Sequence, residues 1–173
     1  MLIVDSQMHI WGADTPDRPW PGGAQRAQKP YPVTKDMLLA EMDTAGVSRV
    51  VIVPPSWEGD RNDLALEAAR LHPRRFTVMG RLAIERPVSR ALVADWKKQP
   101  GMLGMRFTFH TDLQRPWLTD GTADWLWPAA EARADSAHGA GAGVPGSTAP
   151  RGIEARSKIC RRSAPSRSFR MWP

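Results

Sequence analysis

The sequence predicts an α/β fold in which helices cover a parallel sheet. Three observations favour this class: short apolar runs alternate with segments of helical periodicity, the alternation occurs four times, and Pro or Gly separates most of the units. Strands joined by crossover helices pair in parallel, because each helix carries the chain back to the end of the sheet where it began. We expect the strands at residues 2–4, 50–53, 76–82 and 103–109.

Cap residues and apolar periodicity mark the helices. Thr34 is the predicted N-cap of the first helix and Gly46 its stop signal, whereas Asn62 is the predicted N-cap of the second. Pro128 must lie in or near the first turn of the fourth helix, because proline cannot donate a backbone hydrogen bond. The helices are expected between residues 34 and 46, 62 and 72, 87 and 100, and 120 and 133.

Residues 134–173 differ in composition from residues 1–133, and we treat the two as separate parts. No leucine follows Leu126, and the segment is rich in Ala, Gly, Arg and Ser without a period of 2 or 3.6. Such a segment buries too little apolar surface to offset its chain entropy, which predicts a disordered basic C-terminal tail. A reading-frame shift near residues 133–135 is one hypothesis for this change.

The net charge of +6 is concentrated in this tail, where seven Lys and Arg residues oppose only Asp135 and Glu154. Because the remainder is close to neutral, no nucleic-acid partner is expected. Cys160 is the one cysteine, so the sequence has no internal disulfide framework. Neither a signal peptide nor an apolar run of about eighteen residues is present, and we expect a cytoplasmic protein without a membrane partner.

Polar side chains close the first predicted strand. Alternate strand residues share a face, so Asp5, Gln7 and His9 are expected on one side. Histidines at two alternating positions can chelate a divalent metal. Here His9 supplies one imidazole, and Gln7 holds the other position.

This start resembles the Asp-x-His-x-His strand of the amidohydrolase-related family (amidohydrolase 2), which includes lactonases and decarboxylases. The resemblance covers residues 1 to about 133, including Met42-Asp43-x-Ala45-Gly46-Val47 and residues 101–107. It implies a (β/α)8 barrel, whereas the alternative of a dinucleotide-binding doubly wound sheet lacks its Gly-x-Gly-x-x-Gly signature. A complete barrel needs about 250 residues, so the predicted fold is a partial (β/α)8 TIM barrel, its first four βα units.

The resemblance also implies a divalent metal, Zn or Mn, as the cofactor. Gln7 stands at the family's first histidine ligand, and His9 matches the second. A carboxamide is a weak ligand for Zn²⁺, and the family's later ligands, after the fifth and eighth strands, have no counterpart in this chain. Metal binding by this chain is therefore expected to be weak or absent, and His9 has the alternative of a hydrogen-bonded structural histidine.

Other candidate site residues follow the strands or lie in the loops. Arg106 could bind a substrate carboxylate with its planar guanidinium, or it could pair internally with an acid such as Asp5. His110 could act as a general base, as could His9, or be an exposed loop histidine. Trp11 and Trp57 could wall a substrate pocket or pack as a lid.

Three functions follow in order of preference. The first is a lactonase-like hydrolase of a small carboxylated or sugar-derived substrate, inactive in this chain because half of the active site is missing. The second is a non-catalytic fragment or interaction protein, because a half barrel exposes two sheet edges through which it can self-associate. The third is a nucleic-acid binder acting through the basic tail.

Overall fold

The computed structural model describes residues 1–20 and 27–139, so most of the predicted disordered tail lies outside the described residues. Four strands form a single sheet in the order β1-β2-β3-β4, and every neighbouring pair is parallel. The predicted α/β class is therefore confirmed. The strands are β1 (Val4–Met8), β2 (Arg49–Ile52), β3 (Phe76–Gly80) and β4 (Met102–Met105).

A helix follows each strand, as the alternation predicts. Short 3-10 turns occur at Ser56–Glu58, Trp96–Lys98 and Arg115–Leu118. None of the helices within the described residues is long and apolar enough to cross a membrane. The four α-helices are α1 (Lys35–Ala45), α2 (Asp63–Leu71), α3 (Ser89–Asp95) and α4 (Leu126–Gly139).

The first helix has both predicted caps, whereas the second differs. Thr34 Oγ1 accepts a hydrogen bond from the amide of Met37 at 3.3 Å, and Gly46 ends α1 with φ of 70°. Asn62 occupies the N-cap position of α2, but its side chain does not cap the helix. It bonds the backbone at the end of β3 instead, and this contact bears on the candidate site below.

The core lies between one face of the sheet and the helices. Val50, Ile52, Phe76 and Val78 are almost completely buried there, against side chains of α1 and α2. Burying an apolar side chain of this size contributes roughly 1.5–3 kcal/mol. The residues that alternate with them on the other side, which we call the open face, are half-buried: Val51, Thr77 and Met79.

Several boundaries differ from those predicted. β1 begins at Val4 and continues to Met8. Asp5 and Gln7 therefore lie within the strand, and His9 follows it. β4 ends at Met105, which places Arg106 beyond the strand rather than within it. Apolar runs predict burial but not pairing. After Met105 the Arg106 amide still bonds the Gly80 carbonyl, and beyond it the chain has no further strand partner among the described residues. α4 begins later than expected, has Pro128 in its first turn, and continues past residue 133.

Candidate functional site

The carboxyl ends of the four parallel strands meet at one edge of the sheet, which we call the strand-end rim. Side chains that follow successive strands are brought together there, because parallel strands all end on the same side. The rim carries His9 after β1, Val53 after β2, Arg81 after β3 and Arg106 after β4.

His9 is fixed by a backbone carbonyl of the neighbouring strand. Its Nδ1 lies 2.5 Å from the carbonyl oxygen of Val53. A carbonyl only accepts, so Nδ1 carries the proton in this contact, and Nε2 of the neutral ring is left as an acceptor. The ring also meets Trp57 edge to face at 6.1 Å between centroids. His9 is thus a positioned imidazole with one basic nitrogen available.

The predicted metal ligands do not form a metal site. Gln7 is exposed, and Asp5 Oδ1 accepts a hydrogen bond from the backbone N–H of Gln7 at 3.0 Å. A register shift between Asp5 and Met8 interrupts the strict alternation on which the expected shared face relied. Across residues 1–20 and 27–139, no three His, Cys, Asp or Glu side chains are grouped to hold a metal ion.

Two arginines face a small cavity at the ends of β3 and β4. The cavity has a volume of about 60 Å³, and its lining includes Arg81, Arg106, Asp60 and Thr108. The Arg81 side chain is 10% exposed, and its Nε lies 3.9 Å from Asp60 Oδ1. That nitrogen is buried and has no hydrogen-bond partner among the described residues. An unpaired, buried guanidinium N–H is a ready donor to an anion.

The charge of this cavity follows from its composition. Burial lowers the pKa of Arg81 from its usual value, the Asp60 carboxylate raises it, and the positive charge of Arg106 lowers it again. Arginine nevertheless remains protonated in proteins at neutral pH. The lining places two guanidinium groups beside two carboxylates, those of Asp60 and Glu85, and Glu85 also pairs with Arg86. A bound anion would relieve the repulsion between Arg81 and Arg106.

Asn62 holds the backbone of Arg81 in place. Its side-chain amide donates to the Arg81 carbonyl at 2.9 Å, and its oxygen accepts from the Arg81 amide at 2.7 Å. This reciprocal pair ties the start of α2 to the end of β3. Arg81 was missed by the sequence reasoning. The available signal was an arginine at the carboxyl end of an apolar run.

Arg106 is half-buried beside Arg81. Its Nη1 donates to the carbonyl of Phe107, and its backbone amide donates to the Gly80 carbonyl at 2.7 Å. The alternative of an ion pair with Asp5 is not found, because no Asp5–Arg106 contact occurs within 4 Å. The rest of its guanidinium is available to a ligand in the cavity.

The loop tryptophans pack together. Trp11, Trp20 and Trp57 form a buried cluster, in which the rings of Trp11 and Trp57 meet edge to face at 5.4 Å. The indole N–H of Trp11 donates to the Tyr31 carbonyl at 3.1 Å. The indole N–H groups of Trp20 and Trp57 are buried without a partner among the described residues. Trp11 also lines an apolar cavity of about 350 Å³, so it both packs in the cluster and walls a pocket. Trp57, beside His9, has an indole N–H without a partner among the described residues.

A buried ion pair holds the two loops that carry these tryptophans. Glu58 is 3% exposed, and its Oε1 accepts from Arg18 Nη1 at 3.0 Å and from the Gly12 amide at 2.8 Å. Arg18 also reaches Asp63 at the start of α2. Because Glu58 and Asp63 follow β2 while Gly12 and Arg18 follow β1, the contacts fix the first loop over the second.

His110 does not join His9. It is exposed and follows β4, at the opposite edge of the sheet from β1. Three strand spacings of about 4.8 Å separate β1 from β4, which gives roughly 14 Å between the strands. The structure therefore groups Arg81 with Arg106, and His9 with Trp57, and leaves His110 apart from His9.

Comparison with known proteins gives a family and a fold. Residues 4–135 match the model of the amidohydrolase family designated Amidohydro_2. No curated protein matches the sequence. A probable 2-pyrone-4,6-dicarboxylic acid hydrolase from Acinetobacter baumannii, with citric acid bound, is 19% identical, with a TM-score of 0.55 over 75% of this chain and 46% of its own.

A second solved structure is similar to the same extent. It is 5-carboxyvanillate decarboxylase from Novosphingobium aromaticivorans with bound manganese, 18% identical, with a TM-score of 0.58 over 74% of this chain and 47% of its own. A variant of that enzyme, also with manganese, has a TM-score of 0.57. At these identities the likeness concerns the fold alone. The chain spans about half the length of the solved structures it matches, and the predicted partial (β/α)8 TIM barrel is confirmed.

Proposed function

Because the chain belongs to the amidohydrolase family, we propose that it is a lactonase-type hydrolase half barrel whose strand-end rim binds the carboxylate of a small substrate. The observation that carries this proposal is the Arg81–Arg106 pair, in which a buried guanidinium nitrogen lacks a partner. Both solved relatives are named for substrates with carboxyl groups, which supports a carboxylated substrate.

The roles of the rim residues follow from their geometry. Arg81 and Arg106 hold the carboxylate through charge-assisted hydrogen bonds, each worth about 1.5–3 kcal/mol. His9 is the group that can take a proton from an attacking water, because Nε2 is left as an acceptor by the contact with Val53. The water oxygen would bond to the lactone carbonyl carbon, the ring C–O bond would break, and the proton would pass to the departing oxygen.

We propose further that this chain binds the carboxylate without turning the substrate over. The described rim comes from four strands, whereas active sites of (β/α)8 barrels draw residues from the ends of several strands around the whole ring. The described residues also provide no metal cluster to activate water. Binding therefore needs only Arg81 after β3 and Arg106 after β4, whereas turnover needs side chains from the strand ends of a complete barrel.

The test measures binding and turnover separately. Isothermal titration with benzene-1,3-dicarboxylate should show saturable binding, and Arg81→Gln or Arg106→Gln should weaken it at least tenfold, as expected for one lost charge-assisted bond. The matched control is Arg49→Gln, because Arg49 is exposed at the start of β2, at the opposite end of the strands from the cavity. Equal affinity in all three variants would refute the carboxylate site.

The turnover arm uses 2-pyrone-4,6-dicarboxylate as the probe. We expect no loss of pyrone absorbance above the uncatalysed rate, even at protein concentrations that saturate binding. Hydrolysis that disappears in His9→Gln would show that the chain is active by itself and would overturn the non-catalytic part of the proposal, while leaving the carboxylate site intact.

A further inference from the structure

The sheet has two edges that no described strand covers. β1 pairs only with β2, and β4 pairs only with β3, within residues 1–20 and 27–139. Edge strands present unpaired N–H and C=O groups, and monomeric proteins protect them with charged residues, proline or a covering element. β4 has the sequence Met-Leu-Gly-Met, with none of these protecting residues. Its composition is that of a strand with a neighbour on both sides.

Apolar side chains are exposed at both edges. Leu2 and Val4, at the start of β1, are 66% and 50% exposed. At the other edge Leu103 is 48% exposed and Trp127 of α4 is 49% exposed. An apolar cavity of about 190 Å³ lies beside β4, and its lining includes Trp96, Met105, Phe107, Leu126 and Trp127.

The occupant of the β4 edge has to meet two conditions. It must offer a parallel strand, because the sheet is parallel throughout, and it must bring apolar side chains to Leu103 and the adjoining cavity. The start of β1 in another copy of this chain meets both conditions. Leu2 and Ile3 lead into β1 at Val4, which has one edge free, and no side chain before Asp5 is charged.

We propose that a second copy of this chain closes the barrel, with β4 of each copy pairing in parallel with β1 of the other. A two-fold axis along the barrel axis keeps all strands parallel and makes the two seams identical. Four strands from each copy give the eight of a closed barrel, and the chain spans 46% and 47% of two such structures. Closure uses every free edge, so assembly stops at two copies.

The open face is consistent with such closure. Val51, Thr77 and Met79 are half-buried on the side of the sheet away from the helices. In a closed eight-stranded barrel this side becomes the interior, which is filled by layers of branched and long side chains. These residues would then pack against their equivalents across the two-fold axis. The inference concerns assembly and does not depend on the proposed carboxylate site.

The first experiment measures the mass of the full chain in solution. Light scattering during size-exclusion chromatography, from 1 to 100 µM, should give twice the chain mass of 19.2 kDa. Val4→Asp and Leu103→Asp should each weaken the dimer at least tenfold, because each places a charge within a seam. Leu71→Asp is the matched control. Leu71 is 44% exposed on α2, between the edges, and this variant should stay dimeric.

The second experiment uses cysteine pairs, which perturb folding less than a charge. In a Cys160→Ser background, Leu103→Cys combined with Leu2→Cys, Ile3→Cys or Val4→Cys should give an interchain disulfide in at least one pair. Neighbouring strands bring Cα atoms to about 5 Å, within disulfide reach. Leu103→Cys with Leu71→Cys should give none. A monomer at 100 µM, an open-ended polymer, or a dimer that neither aspartate variant weakens and no edge pair cross-links would overturn the proposal.

Discussion

Asn62 shows how one side chain can position a binding group without touching the ligand. It supplies a donor and an acceptor to the backbone of Arg81, at 2.9 and 2.7 Å. The sequence assigned the same residue to a helix cap, because asparagine is favoured at that position. Sequence alone did not reveal the competing partner, since Arg81 lies nineteen positions away and is brought close only by the fold.

Replacing Asn62 should therefore destabilise the chain and weaken carboxylate binding together. Asn62→Ala leaves both backbone groups of Arg81 without their partner, and we expect a loss of about 2 kcal/mol in the free energy of unfolding. Asn62→Asp retains the acceptor and loses the donor, so about half of that loss is expected. Urea unfolding followed by tryptophan fluorescence measures the free energy of unfolding of both variants, and isothermal titration with benzene-1,3-dicarboxylate measures their carboxylate binding. Equal stability of Asn62→Ala and the wild-type chain would contradict the assigned role.

Two glycines at the boundaries of elements have positive φ, but their surroundings differ in the space left for a side chain. A Cβ at Gly46, after α1, would meet nothing within 4 Å, whereas a Cβ at Gly101, before β4, would lie 2.6 Å from Ala69 Cβ. Gly46→Ala should cost about 1 kcal/mol of backbone strain. Gly101→Ala should cost about 2–4 kcal/mol, because steric overlap is added to the strain. Urea midpoints at constant m-value would measure the difference, and equal losses would contradict it.

The elements themselves were largely predictable, because their signals are local. Thr34, Gly46 and the apolar runs of β2 and β3 carry capping and periodicity information within a few residues. The ends of β1 and β4 were not predictable. Strand pairing depends on a partner elsewhere in the chain, and the apolar run continues to Phe109 although its last backbone hydrogen bond to β3 is that of Arg106.

Some residues of the candidate site were likewise predictable from local sequence, and others were not. Arg106 and His9 were found because each stands beside a recognisable run, and both lie at the strand-end rim. Arg81 was missed, since its importance comes from a cavity that β3, β4 and the loop after β2 form together. The burial of Trp11 and Trp57 likewise depends on contacts between two separate loops.

For the whole molecule, we propose that binding and turnover depend on different parts of the barrel. The cavity lined by Arg81 and Arg106 lies at the ends of β3 and β4 within the described residues, whereas the open face and the two outer edges of the sheet have no described partner. A second copy would enclose the open face and bring eight strand ends to one mouth. The carboxylate site and the assembly are therefore separate claims, one carried by two arginines and the other by two sheet edges.

A crystal structure of the chain with benzene-1,3-dicarboxylate tests the central claim most directly. The account predicts a carboxylate between Arg81 and Arg106, with Arg81 Nε donating to one of its oxygens. A cavity that stays empty at saturating ligand, or a ligand bound only elsewhere on the chain, would contradict it.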